Sequence, residues 1–173
     1  MRPKNIIKSV IWSKPMHEMI KFNTDGSYLW NNRKARIEGI ARNCEGKFIF
    51  AFVVLVIARY HNVAEVMAAK YVVEWMSDHG HRKGIIEMDS MIMGIVKDIN
   101  LRITDADMSF AHYLHEGNMV VDCLAKIATT IEYLTHFHRY DDLPTNAKIS
   151  FMLDEWQLPS FRIRYNKANF VVS

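Results

Sequence analysis

The order of strand-like and helix-like segments is the feature that most restricts the fold of this 173-residue chain. Apolar runs bounded by turn residues predict three strands at 19–24, 36–43 and 47–57. The last two are joined through a turn in which Gly46 supplies a positive φ, which indicates a hairpin. Apolar residues at three- and four-residue steps then predict helices that alternate with strands. The helices are expected at 62–79, 90–99 and 118–133, and the strands at 84–88 and 108–114.

This β-β-β-α-β-α-β-α order predicts an α/β (α+β) domain with a five-stranded mixed sheet flanked by helices. We expect three antiparallel strands followed by two parallel ones. Residues 1–17 are interpreted as a lead-in and 18–133 as the domain. Residues 134–173, interrupted by Pro144 and Pro159, are predicted to be an extended tail.

Four acidic residues occupy positions that suit a shared metal site. Asp25 and Asp89 follow apolar, strand-like runs, whereas Glu65 and Asp122 lie in helix-like segments. Hydrolysis of a phosphodiester by two divalent cations, about 3.5–4 Å apart, needs carboxylates from distant parts of a chain. Taken singly, each acid is equally well explained as a helix cap or a solvated surface charge.

Composition and charge are compatible with a globular protein that binds a polyanion. Residues 1–48 carry ten Lys or Arg against four acids, and residues 49–173 carry twelve against fifteen.

Two cysteines, Cys44 and Cys123, are too few for a disulfide framework, so an intracellular, reducing compartment is expected. The apolar run 48–58 is shorter than the roughly 20 residues that span a bilayer, so no membrane partner is expected. Nucleus and cytoplasm remain equal alternatives.

Five short motifs, in this order, give the chain a resemblance to a known family. They are N-T-D-G-S (23–27), R-N-C-E-G-K-F-I-F-A-F (42–52), N-V-A-E (62–65), I-E-M-D-S (86–90) and H-Y-L-H-E-G-N-M-V-V-D-C-L-A-K (112–126). The chain resembles type 1 ribonuclease H domains, of the reverse-transcriptase-like, retrotransposon-related kind abundant in plant genomes. The similarity runs from about residue 12 to 126, and L-P-S-F-R-I (158–163) resembles the ending of those plant sequences.

The resemblance implies a metal-dependent endonuclease that hydrolyses the RNA strand of RNA–DNA hybrids. By position, Asp25, Glu65, Asp89 and Asp122 match the family's catalytic carboxylates, which hold two Mg²⁺ or Mn²⁺ ions. His115 opens the loop before Asp122 and is the candidate for assisting product release. The expected partner is an RNA–DNA hybrid or RNA, and the protein is expected to be a monomer.

The resemblance also implies contacts to the hybrid from residues beside the carboxylates. Gly26 would allow a backbone N–H to approach a phosphate, and Ser27 and Ser90 would donate to backbone oxygens. Asn62 and Asn118 would reach the sugar edge of the minor groove, where the 2′-OH distinguishes RNA from DNA. The simpler alternative is that both asparagines are helix N-caps and that both serines belong to turns.

The chain departs from the family in two places. Only 22 residues separate Asp89 from His112, a shortened helical region after the fourth strand, where most relatives insert a further helix. Relatives also have a glycine-rich second strand, of which Gly39 alone is left. Two alternatives to an active nuclease therefore remain: a catalytically weak or inactive nucleic-acid-binding module, and a decayed transposon-derived remnant.

Overall fold

The computed structural model describes residues 6–29, 34–88, 107–128 and 134–164. Its strands are Ile6–Val10 (β1), Ile20–Leu29 (β2), Lys34–Arg42 (β3), Phe48–Ile57 (β4), Lys83–Met88 (β5), Asp107–His112 (β6), Thr135–Phe137 (β7) and Ser160–Arg164 (β8). Its α-helices are His61–Asp78 (α1), Met119–Ala128 (α2) and Thr145–Glu155 (α3). Single 3-10 turns lie at His115–Gly117 and Tyr140–Asp142. The predicted helix at 90–99 falls outside the described residues.

The main sheet has the order β6-β5-β2-β3-β4-β7. β2, β3 and β4 pair antiparallel, whereas β5 is parallel to β2 and β6 is parallel to β5. The predicted mixed sheet, with three antiparallel strands followed by two parallel ones, is confirmed. The predicted total of five strands is wrong, because β7 adds to the free edge of β4. A three-residue strand is too short to show an alternating pattern in the sequence.

The two hairpins differ in how well the sequence predicted them. The β3–β4 hairpin turns where expected, with Gly46 at a φ of 84° and the Asn43 N–H bonded to the Lys47 carbonyl. The first strand is longer than predicted: β2 continues past residue 24 to Leu29. Its ladder with β3 extends to the pair Leu29↔Lys34, which supplies backbone hydrogen bonds to this added length.

Helix α1 covers one face of the sheet. Alternate strand residues, such as Phe22, Ile37 and Phe52, point to this face and are buried against the helix. The helix contributes an apolar stripe of small and medium side chains: Ala64, Ala68, Ala69, Val72, Val73 and Met76. Because small alanines line its first turns, α1 lies close to β2 at that end.

Helices α2 and α3 cover the opposite face. The alternate residues of β3 and β4, Ile40, Ala51 and Val53, form a second core with residues of both helices. Those residues are Val120, Val121, Leu124, Ala147 and Phe151. The sheet is therefore buried on both faces, and the first turn of a helix on each face lies against the middle of β2.

The chain ends are more structured than the sequence indicated. The lead-in contains β1, and the region predicted to be an extended tail contains β7, α3 and β8. β1 and β8 pair antiparallel as a separate two-stranded sheet. The prediction of an extended tail is wrong because Pro144 immediately precedes α3, where proline is compatible with a helix start. Phe151 then anchors α3 in the second core.

Within the described part of the chain, no helix is long and apolar enough to cross a membrane.

Candidate active site

Asp25 lies near the middle of β2, on the face covered by α2 and α3. It is the register partner of Glu38 on β3, and directly opposite residues share one face of a sheet. One carboxylate oxygen, Oδ1, accepts a hydrogen bond of 2.8 Å from the Gly26 N–H. The side chain is half-buried, so it is positioned by the strand and still reachable from solvent.

Glu65 approaches the same part of β2 from α1. It lies in the second turn of a helix that starts at His61, and only 4% of it is exposed. A β-carbon built on Gly26 would lie 2.5 Å from the Ala64 carbonyl carbon and from the Glu65 nitrogen. The backbones of β2 and α1 therefore touch at the residue that follows Asp25. His61 Nε2 is 2.8 Å from Glu65 Oε1.

Asp122 approaches from the other face, in the first turn of α2. The start of this helix is tied to β2, because Asn118 Nδ2 donates to the Thr24 carbonyl at 3.2 Å. The Asp122 N–H closes the first helical hydrogen bond to the Asn118 carbonyl at 3.0 Å. Lys126 Nζ lies 2.7 Å from Asp122 Oδ2, and because the lysine is exposed this pair is weak.

The fourth predicted carboxylate, Asp89, lies outside the described residues, as does Ser90. The strand that precedes them is described: β5 ends at Met88 and runs parallel to β2, with Glu87 in register with Asn23. Among the residues that the structure does describe, no three His, Cys, Asp or Glu side chains form a group able to hold a metal ion.

The buried charge at Glu38 was not predicted from the sequence. Its side chain is fully buried, and the Ser27 hydroxyl donates to its Oε1 at 3.3 Å. Burial, followed by repulsion from Asp25, raises the pKa of Glu38 to about 8. The Ser27 hydrogen bond and then the charge of Arg36 oppose this rise without cancelling it. The available signal was a charged residue inside the otherwise apolar run from Ile37 to Ala41.

Two buried oxygens on the side of the sheet that carries Asp25, Glu38 Oε2 and Asn118 Oδ1, have no hydrogen-bond partner in the described part of the chain. Buried polar atoms are usually satisfied, so an unsatisfied group of this kind indicates an absent water, ion or ligand. Oxygen atoms of carboxylates and amides are the ligands that Mg²⁺ and Mn²⁺ prefer, so these residues fit such an ion.

The residues predicted to contact nucleic acid occupy different environments. Asn62 is exposed inside the first turn of α1; Tyr60 is the N-cap, so the N-cap alternative for Asn62 is wrong. Asn118 directs its amide to β2, Ser27 hydrogen-bonds to Glu38, and Gly26 fits against α1. His115 is exposed in the 3-10 turn before α2.

Comparison with known proteins assigns the fold. No family model matches the chain, and no curated protein matches it. Solved structures do match. RNase H1 of the archaeon Halobacterium salinarum NRC-1 has a TM-score of 0.56 at 19% identity, covering 65% of this chain and 98% of that one. The N-terminal RNase H domain of a Mycobacterium tuberculosis protein has a TM-score of 0.54 at 14% identity, covering 65% and 94%.

A third match was solved with nucleic acid. LC11-RNase H1, a protein isolated from compost by a metagenomic approach, has a TM-score of 0.50 at 18% identity in its complex with an RNA/DNA hybrid. The alignment covers 61% of this chain and 92% of LC11-RNase H1. The described structure therefore has the α+β fold of these ribonuclease H structures.

Proposed function

We propose that this protein is a metal-dependent endonuclease that hydrolyses the RNA strand of RNA–DNA hybrids. The observation that carries the proposal is the meeting of three elements beside Asp25. α1 brings Glu65 to β2 from one face, and α2, which carries Asp122, is tied to β2 from the other. Carboxylates carried by elements that meet at one part of β2 repel one another, and bound divalent cations would relieve that repulsion.

The residues proposed to hold two Mg²⁺ or Mn²⁺ ions are Asp25, Glu65, Asp89 and Asp122. Such ions, when bound, activate a water molecule and stabilise the leaving oxygen of the phosphodiester. The chain itself contributes position and charge. β2 carries Asp25, and the contact of its backbone with α1 at Gly26 fixes the position of the Glu65 main chain. The lysine of the Asp122–Lys126 ion pair is exposed, so a divalent cation that binds Asp122 can displace it.

Nucleic-acid contacts are proposed for the surface around these carboxylates. Asn62 is exposed one turn before Glu65 and is free to reach a sugar edge. His115 is exposed in the 3-10 turn that follows β6. We propose that it neutralises negative charge on the departing product. Gly26, Ser27, Ser90 and Asn118 complete the proposed contact set. The match to LC11-RNase H1, which was solved with an RNA/DNA hybrid, supports this choice of partner.

The proposal is tested with the purified chain and end-labelled duplexes of one sequence. RNA–DNA hybrid, duplex RNA and duplex DNA are compared in Mg²⁺, in Mn²⁺ and in excess chelator. We expect internal cuts in the RNA of the hybrid with either metal, and intact duplex DNA. Equal cleavage of all three duplexes, or cleavage in chelator, would contradict the proposal.

A second candidate function is a hybrid-binding module without cleavage. It is favoured by one observation: two of the acids already contact basic groups of the chain, Glu65 with His61 and Asp122 with Lys126. Hybrid binding whose affinity falls with salt, without any cut strand in Mg²⁺ or Mn²⁺, would support this candidate. Free thiols at Cys44 and Cys123 support a reducing compartment for either function.

A further inference from the structure

We propose that Glu38 is an additional carboxylate of the cation site, facing the ion held by Asp25 across the β2–β3 ladder. The inference rests on the proposed function, because it assumes a divalent cation beside Asp25. It adds to that function a ligand group on β3, a strand that supplies none of the four predicted acids. The predicted acids lie on β2, on α1, after β5 and on α2.

The geometry places Glu38 directly beside Asp25 and leaves one of its carboxylate oxygens unsatisfied. It is the register partner of Asp25, so the two carboxylates project side by side from neighbouring strands. The Ser27 hydroxyl holds Oε1 at 3.3 Å, whereas Oε2 is buried and has no partner among the described residues. Val53, the partner of Glu38 on β4, offers no polar atom on the other side.

The other buried carboxylates on this face of the sheet, unlike Glu38, each have a basic partner. Glu87 is paired with Lys21 at 2.6 Å and also accepts a hydrogen bond from Asn23 at 2.8 Å. Asp154 is paired with Arg42 at 2.8 Å. The buried side chains of Lys21 and Arg42 are therefore each already in an ion pair with another carboxylate.

Glu38, in contrast, forms no ion pair within the described ranges. Burying a carboxylate away from water without an ion pair is unfavourable, and a cation from outside the chain would relieve this. A divalent ion between the two side chains would compensate both carboxylates at once.

The test is a Mn²⁺ titration of the full chain by calorimetry, after removal of bound metal with chelator. Glu38→Gln keeps the shape of the side chain and removes its charge. We expect this variant to bind Mn²⁺ at least about tenfold more weakly than the parent. Glu45→Gln is the matched control, because Glu45 is exposed at the turn of the same hairpin, and its Mn²⁺ affinity should equal that of the parent.

A second variant keeps the test decisive if Glu38→Gln does not fold. Glu38→Asp keeps the negative charge but shortens the side chain by one methylene group. We expect it to lose less Mn²⁺ affinity than Glu38→Gln does. Mn²⁺ affinity unchanged in a folded Glu38 variant would overturn the inference, and hybrid cleavage by the parent would then leave the proposed function intact. A parent that neither binds Mn²⁺ nor cleaves hybrid would overturn both.

Discussion

Replacing Gly26 with alanine tests how closely β2 and α1 must approach for the proposed chemistry. The added β-carbon would lie 2.5 Å from two backbone atoms of α1, the Ala64 carbonyl carbon and the Glu65 nitrogen. Ordinary contact begins at 3.4 Å, so the helix must move by about 0.9 Å. Backbone atoms cannot rotate aside as a flexible side chain can. The overpacking should reduce the free energy of unfolding by about 1–3 kcal/mol.

The same displacement should affect catalysis more than stability. Glu65 would move with the helix away from Asp25, and a shift of about 1 Å at a reacting centre can lower the rate about a hundredfold. The assays are urea unfolding and the initial rate of hybrid cleavage in Mg²⁺. The measured fall in rate should exceed what the unfolded fraction alone explains.

Gly84→Ala is the matched control for this prediction. Gly84 lies on β5 beside β2, and its added β-carbon would meet the sulfur atoms of Met76 and Met108 at 2.8 and 3.0 Å. Both methionine side chains are flexible, so they can adjust and the loss should be smaller. A Gly26→Ala protein that is as stable and as active as the parent would refute the claim that the β2–α1 contact positions Glu65.

Three further predictions concern the buried charges. In metal-free protein, the pKa of Glu38 rises from 4.5 to about 8 on folding, so stability falls as pH rises through this window. For the parent, the free energy of unfolding should fall by up to about 5 kcal/mol between pH 5 and 9, and Glu38→Gln should abolish this fall. Urea unfolding at several pH values would show a flatter profile for the variant. Parallel profiles for parent and variant would contradict the prediction. Asp154→Ala should cost about 3–5 kcal/mol at pH 7 by leaving Arg42 buried and unpaired, and adding Arg42→Met should recover part of this loss. Lys21→Met should cost a similar amount at pH 7, measured by urea unfolding, because it removes the counter-charge of the buried Glu87 carboxylate.

Some parts of this structure could be predicted from sequence because their signals are local. The β3–β4 hairpin has its glycine at the turn, and the helix that carries Glu65 has an apolar stripe of regular spacing. The order of strands and helices then restricts the sheet to a mixed arrangement, which the structure confirms. Asp25 stood out because it follows an apolar run and precedes glycine.

Other parts depend on contacts that the sequence does not display. Helix α3 buries two polar residues, Ser150 and Asp154, beside Ala147 and Phe151. Its buried face is therefore not a continuous apolar stripe, and the helical spacing cannot be recognised from hydrophobicity. Asp154 is tolerated there because Arg42, 112 residues earlier, lies against it. Glu38 is a single charged residue in an otherwise apolar stretch of β3, and only the register of β3 with β2 shows that it faces Asp25.

The account is tested most directly by the effect of Asp25→Asn on hybrid cleavage. Asparagine has the shape of aspartate and removes one negative charge from the site where β2, α1 and α2 meet. The parent should cut the RNA strand in Mg²⁺ or Mn²⁺, and Asp25→Asn should give no detectable cut. Asp107→Asn, at the exposed start of β6, is the matched control and should retain the parental rate. Cleavage by Asp25→Asn at the parental rate would contradict the claim that these carboxylates form the active site.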